Sequence, residues 1–309
     1  MKHSKAPGRR MISPLRADLM LLLVTLIWGG TFPVLKLLVV AVSPLYLVGV
    51  RFLLAFVALT PFAWANRKSL DARTWQVGMG LGLLIWGGFL SQTVGIQYTT
   101  ASKAAFITAL SVVITPVLAT LLLRKRPGRQ ALLGVVLATL GLGLLTLDFS
   151  HPWTFHKGDL WVLVSAFLYA LQIITVDRYG ALSDALLLTW VELGTVAAVG
   201  LVAACIREPL PQLNTIALWG GLLYLALFAT AAAQYLQIRV QPYTTPTRVS
   251  LIFSLEPVFA AILAFVVLGE QLPRTGQAGA GLMLMGVMVS ELGGRKGSGL
   301  LRVKDMAID

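Results

Sequence analysis

Ten runs of roughly twenty apolar residues leave this chain few ways to fold. A helix rising about 1.5 Å per residue needs about twenty residues to cross the roughly 30 Å hydrocarbon core of a bilayer. The runs lie at about 19–40, 45–64, 75–95, 102–123, 131–148, 159–177, 185–205, 216–238, 249–268 and 275–292. With 57% hydrophobic and 12% charged residues in 309, the chain has too little polar surface to coat a soluble globule of that size. The connections are short, so no separate soluble domain is expected. The sequence predicts an all-α integral membrane protein with ten transmembrane helices.

Those helices occur as two copies of one unit. Residues 98–123 read YTTASKAAFITALSVVITPVLATLLL and residues 243–268 read YTTPTRVSLIFSLEPVFAAILAFVVL. A shift of 145 places Tyr98 on Tyr243, Thr99 on Thr244, Lys103 on Arg248, Gln92 on Gln237, Gly134 on Gly279 and Gly141 on Gly286. Upstream, a shift of 141 places Asp18 on Asp159, Trp28 on Tyr169, Lys36 on Asp177 and Arg51 on Glu192. The expected layout is a tail over 1–17, a first five-helix repeat over 18–148, an outer loop over 149–158, a second repeat over 159–292 and a tail over 293–309. Because five is odd, the second copy must enter the bilayer in the opposite sense, giving an inverted-topology repeat.

Charge placement gives the expected orientation. If residue 1 is cytoplasmic, 18 of the 25 lysines and arginines fall in cytoplasmic segments: the two tails, 65–73, 124–129, Arg178 and Arg239. Lys157, Arg207 and Arg274 fall outside. That asymmetry follows the positive-inside rule and predicts cytoplasmic termini in a plasma (inner) membrane. The net charge of +12 would suit nucleic acid only as a basic stripe with interleaved aromatics, and this distribution is different. Anionic inner-leaflet lipid is the expected partner of these charges. Cys205 is alone and has no partner for an internal disulfide. The first apolar run is too long for a signal peptide and reads as an uncleaved span.

Several chemistries find no support. No G-x-x-x-x-G-K-[ST] motif announces an ATP-driven pump. His151 and His156, five apart in a loop, are weak metal evidence, so no metal or other cofactor is expected. An intramembrane enzyme needs a nucleophile with its base, and no such pair is visible. Gly78 and Gly82, in small-xxx-small spacing, suit helix packing rather than phosphate binding.

Polar groups inside the spans are the candidates for function, since each is expensive in hydrocarbon. Glu192 and Glu256 lie about 10 Å in from the cytoplasmic side by helix rise. A carboxyl group in low dielectric resists ionising, which suits proton exchange near neutrality; bonding to a neighbouring helix is the competing role. Pro257 leaves the Phe253 carbonyl without its usual donor. Arg51 and Glu192 are repeat mates of opposite sign at opposite depths, which raises a charged pair that opens and closes with the gates. Lys103 and Arg248 sit near opposite mouths, suited either to attracting anionic groups or to snorkelling. Trp28, Tyr169, Gln92, Gln172, Tyr235 and Gln237 are candidate cavity groups, aromatic faces for apolar parts of a solute and amides for polar parts. Trp28 suits packing as well, and the two repeat-related amides suit interhelical bonding. Inverted repeats with a site near the midplane are the plan of many secondary carriers.

LIWGGTFPVLK in the first span, VGVRFLLAF in the second, YTTASKAAFITAL in the fourth, GDLWVLVSAFLYAL in the sixth and SLEPVFAAILAFVVLGEQL in the ninth together carry a family likeness. The chain resembles the drug/metabolite transporter superfamily, in particular its EamA-type ten-helix members, over about residues 15–292. The resemblance implies tandem five-helix units, cytoplasmic termini, a shared central cavity and export of amino acids, metabolites or drugs. It places family positions on Trp28, Arg51, Glu256, Pro257, Gly269 and Glu270; the first unit departs at the last two, where Arg124 and Lys125 stand. The expected function is therefore a secondary transporter of a small organic solute by alternating access, with proton coupling as an added expectation. A channel or a non-transporting scaffold is the alternative, and the residues admit a homodimer without requiring one.

Overall fold

The computed structural model describes residues 12–146, 156–209, 215–268 and 273–297. Gly269, Glu270, His151, most of the outer loop and most of both tails lie outside the described residues. Among the described residues the chain is helical throughout, with no strand. The first unit comprises α1 (Pro14–Gly29), α2 (Thr31–Ala41), α3 (Pro44–Ala65), α4 (Ala72–Tyr98), α5 (Ala101–Ala109), α6 (Ser111–Leu123) and α7 (Arg129–Thr146). The second comprises α8 (Lys157–Tyr179), α9 (Ala185–Arg207), α10 (Ile216–Leu223), a π-helical segment (Tyr224–Ala232), α11 (Ala233–Val240), α12 (Pro246–Phe253), α13 (Glu256–Leu268) and α14 (Arg274–Gly297). Nine stretches among the described residues are long and apolar enough to cross a membrane, and α14 adds a tenth long helix packed along α7.

Side-chain oxygens begin many of these helices. Asp71 accepts from the Thr74 amide at 2.7 Å, Asp184 from the Leu186 and Leu187 amides, and Thr100 and Thr245 from the Lys103 and Arg248 amides. Each satisfies backbone N–H groups that the first helical turn leaves without partners.

Three breaks divide spans that the sequence reads as continuous. The first falls at Gly30, where a Cβ would stand 2.7 Å from the Tyr224 hydroxyl oxygen, so only glycine lets that ring approach. Pro33 then sits in the first turn of α2, where its missing N–H costs nothing. The other two breaks are repeat mates, at Leu110 between α5 and α6 and at Ser254–Leu255 between α12 and α13. The second lies just ahead of Pro257, which has no N–H to continue the ladder.

The pairing of helices across the halves shows the internal two-fold relation. Gly134 of α7 packs on Gly286 of α14, and Gly141 on Gly279; shifting either pair by 145 and exchanging partners returns the other. Likewise Gly49 packs on Gly200 and Leu201 while Trp190 donates to Thr60 at 2.9 Å; Gly49 and Trp190 are mates, as are Thr60 and Leu201. In both pairs the helices run antiparallel, the contact order of an inverted repeat. Gly78 and Gly82 let α4 lie against α9, where a Cβ would fall 2.7 Å from Val191 and 2.6 Å from Thr195. Small residues at such crossings bring backbones close enough for dispersion to hold helices together where lipid offers no hydrophobic drive. Facing outward are Leu37, Val40, Leu121, Ile206 and Ile216, an apolar surface suited to acyl chains.

Candidate functional site

Both units wall a central cavity whose empty space, including the part open to solvent, is about 660 Å³. Its lining includes Trp28, Arg51, Gln92, Tyr169, Gln172, Gln237 and Glu256. Each stands near a helix break or on a helix that faces the opposite unit.

The π segment is what organises one wall. Winding with wider turns shifts its carbonyls out of the α-helical pattern, and the Ala229 carbonyl accepts from the Trp28 indole N–H at 2.9 Å and from an Arg51 Nη2 N–H at 3.2 Å. Arg51 Nε also donates to the Thr230 hydroxyl at 2.5 Å, and that hydroxyl donates in turn to the Leu225 carbonyl five residues earlier. The guanidinium lies 4.7 Å from the centre of the Phe89 ring, a cation–π placement that offsets part of its desolvation. Only 2% of Arg51 is exposed, so these contacts hold a charge that lipid could not. Glu256, first residue of α13, lines the same cavity. Trp28 meets Phe253 edge-on at 4.9 Å.

Amides make the remaining polar wall. Gln92 donates to the Thr108 hydroxyl at 3.1 Å and accepts from the Tyr169 hydroxyl at 3.2 Å. Its repeat mate Gln237 donates to Gln172 at 2.9 Å and to Gln241 at 3.1 Å. Two groups on the wall have no partner within the protein: the Gln172 amide nitrogen and the Gln234 amide oxygen. A buried donor or acceptor left unmade costs about 1–3 kcal/mol, so both groups are held at a cost in residues that line the cavity.

Other sequence candidates lie elsewhere. The Tyr235 hydroxyl accepts from Arg239 at 2.9 Å, and its ring packs on the Leu81 and Leu188 cluster away from the cavity lining. Glu192 is fully buried, and neither carboxylate oxygen has a hydrogen-bond partner. It makes no pair with Arg51, whose described bonds go to Ala229 and Thr230. Lys103 and Arg248 stand at opposite ends of the bundle, beside His156 and Asp18 respectively. No group of three or more His, Cys, Asp or Glu among the described residues is placed to hold a metal ion. Missed from sequence were Thr230, Gln234 and Phe89. Gln234, one turn before Gln237 in an apolar run, carried the same signal as its neighbour.

Replacing Trp28 by Phe keeps the ring against Phe253 and deletes only the N–H. The Ala229 carbonyl keeps its bond from Arg51, so the expected loss is about 1 kcal/mol, read as a small fall in the melting temperature of detergent-solubilised protein. A fall several times larger would mean that the indole is wedged into the break at Gly30.

The chain is thus a bundle of membrane-length helices built on a two-fold repeat around a central cavity. The EamA-like transporter family matches the chain twice, over residues 15–147 and 156–292; the chain belongs to that family. A protein of Archaeoglobus fulgidus described as an uncharacterized transporter is 33% identical over 285 residues, covering 92% of this chain and 89% of its own length. The uncharacterized transporter YyaM of Bacillus subtilis is 25% identical, covering 92% of this chain and 94% of its own length. A solved crystal structure superposes with a TM-score of 0.76 at 16% identity, over 91% of this chain and 98% of that one, a likeness of fold. With relatives named as transporters, the chain is a multi-pass membrane transporter and not an enzyme, acting on a small-molecule substrate in a lipid environment.

Proposed function

We propose that this transporter is a secondary carrier that exports a small organic solute through the central cavity by alternating access, driven by the proton gradient. Its two units, 18–148 and 159–292, rock about the cavity, and both termini face the cytoplasm of a cell bounded by an inner membrane. The observation that carries this reading is Glu256 in a cavity that also holds the buried Arg51, with the carboxylate on the first turn of a helix that begins at a break. A carboxyl group there exchanges a proton with whichever side the cavity faces, beside the Arg51 guanidinium that lines the same cavity. The solute is held by the amide donor of Gln172, the amide acceptor of Gln234 and the faces of Trp28 and Tyr169. Glu192 is a second buried carboxyl, set apart from the cavity on α9.

The test compares native protein with Glu256→Gln in vesicles, using a panel of radiolabelled amino acids. An imposed pH gradient is expected to drive accumulation in native vesicles and not in Glu256→Gln, while counterflow exchange persists in both. Gradient-driven accumulation that survives the substitution would remove Glu256 from the coupling. Labelled solute that equilibrates without counterflow would identify a channel, and absence of both flux and saturable binding a scaffold.

A further inference from the structure

The duplication places the same three residue types at both ends of the bundle, and the two ends are built differently. At the end distant from residue 12, the Thr99 hydroxyl donates to Asp159 Oδ1 at 2.6 Å, and the His156 amide donates to Asp159 Oδ2 at 2.9 Å. Lys103 reaches the same helix start through the His156 ring, 3.3 Å from its Nδ1. This ties the first turn of α8, in the second unit, to the α4–α5 corner of the first. The repeat mates at the other end are Thr244, Asp18 and Arg248. There, the Thr244 hydroxyl and both Asp18 carboxylate oxygens are buried without a hydrogen-bond partner, and Arg248 Nη1 stands 3.9 Å from Asp18 Oδ2. Thr100 and Thr245, the next residues, cap their helices in the same way at both ends. Two bonds therefore differ: the Thr–Asp bond across the units, and the amide bond from His156, whose mate Leu15 makes no such bond to Asp18.

The sequence makes the two ends unequal. Beside Asp159 and Thr99, α8 and α4 touch through Gly158 and Gly95; a Cβ on Gly158 would come within 2.5 Å of the Gly95 carbonyl oxygen. The mates of these glycines are Ala17 and Val240. Both are wholly buried in one apolar cluster between α1 and α11. Their side chains stand where the opposite end has bare backbone, so α1 and α11 cannot approach as closely as α8 and α4.

We propose that Asp159–Thr99 and Asp18–Thr244 are two copies of one latch, each joining the leading helix of one unit to the corner of the other, and that alternation fastens one as it releases the other. The structure holds the distal Thr–Asp bond made and the one nearer residue 12 unmade, with the Arg248–Asp18 ion pair at 3.9 Å bridging the units there. Its glycine contact makes the distal latch the tighter, so the resting protein favours closure at the distal end. This inference rests on the carrier reading above, and its test reads access to the cavity rather than flux.

A reporter thiol is placed in the cavity wall by Ser111→Cys in a Cys205→Ser background, in full-length protein within right-side-out and inverted membrane vesicles. A membrane-impermeant maleimide is applied from each side. Thr99→Val should raise labelling from the distal side, relative to the other, by roughly tenfold or more, since a hydrogen bond to a buried carboxylate is lost from one state only. Thr244→Val should lower the same ratio, because it removes the bond that fastens the other state. Thr99→Ser, which restores the hydroxyl, should return the parent ratio. Shifts of the same sign, or none, with the parent thiol reachable from both sides, would overturn the latch and leave the carrier reading intact. Labelling from one side alone in every variant would overturn the latch and the alternating access beneath it.

Discussion

Valine in place of Gly141 is expected to leave almost no folded protein. At that position a Cβ would meet the Gly279 carbonyl oxygen at 2.5 Å and the Met283 amide nitrogen at 2.8 Å. These are backbone atoms of α14, so no rotamer change relieves the clash; the two helices must separate along their length. Overpacking that side chains can absorb costs about 1–3 kcal/mol, and a clash against backbone lies at or beyond the top of that range. The two-fold relation makes Gly134→Val equivalent, since its Cβ would meet the Gly286 carbonyl oxygen at 2.5 Å. Gly281→Ala, in the same helix, is the control: nothing lies within 4 Å of its Cβ, and alanine in a helix is favoured over glycine by about 0.5–1 kcal/mol. Yield of monodisperse protein and its melting temperature check all three. A Gly141→Val protein as stable as Gly281→Ala would show that α7 and α14 are not in backbone contact.

The second large effect is expected at Arg51. Alanine there removes a guanidinium that bonds Thr230 and Ala229 and leaves Glu256 without the cation that shares its cavity. Hydrogen bonds to charged groups contribute about 1.5–3 kcal/mol, so Arg51→Ala should lower stability by about 2–4 kcal/mol and reduce counterflow by roughly a hundredfold or more. Lysine keeps the charge but has one nitrogen where the native contacts use two separated ones. Arg51→Lys is therefore expected to recover part of the stability and little of the exchange. Equal exchange by native and Arg51→Ala protein would place the solute path elsewhere.

Much of this architecture was written in spacing. The ten apolar runs, the 145- and 141-residue shifts and the odd number of helices per unit together specify an inverted repeat before any contact is known. Which face of each helix turns inward was not written there. Trp28, Arg51, Gln92, Tyr169, Gln172, Gln237 and Glu256 share the cavity, whereas Tyr235, in the same turn as Gln237, points its hydroxyl to Arg239. Helices that are apolar on all sides have no amphipathic phase to read, because lipid and protein interior make the same demand on a side chain. The π segment was also hidden, since YLALFATAA contains neither proline nor glycine. The shift grows from 141 at Arg51 and Glu192 to 145 at Gln92 and Gln237; it is already 144 at the helix starts Ala72 and Ile216, which leaves one added residue for the segment that holds the π turns. A π turn is one way a helix accommodates a surplus residue. The mate relation of Arg51 and Glu192 was legible, but not that each would take its contacts from different helices.

Two residues, Val42 and Ser43, join α2 to α3; two more, Thr99 and Thr100, join α4 to α5; and Thr244 and Thr245 lead directly into α12. Such corners hold no slack, so a change of shape has to be taken up inside the helices themselves. Gly30, Leu110 and Leu255 interrupt three of them partway through the bilayer. The joints of this protein thus lie beside the cavity, next to its lining residues Thr31, Ser111 and Glu256, rather than at its rims.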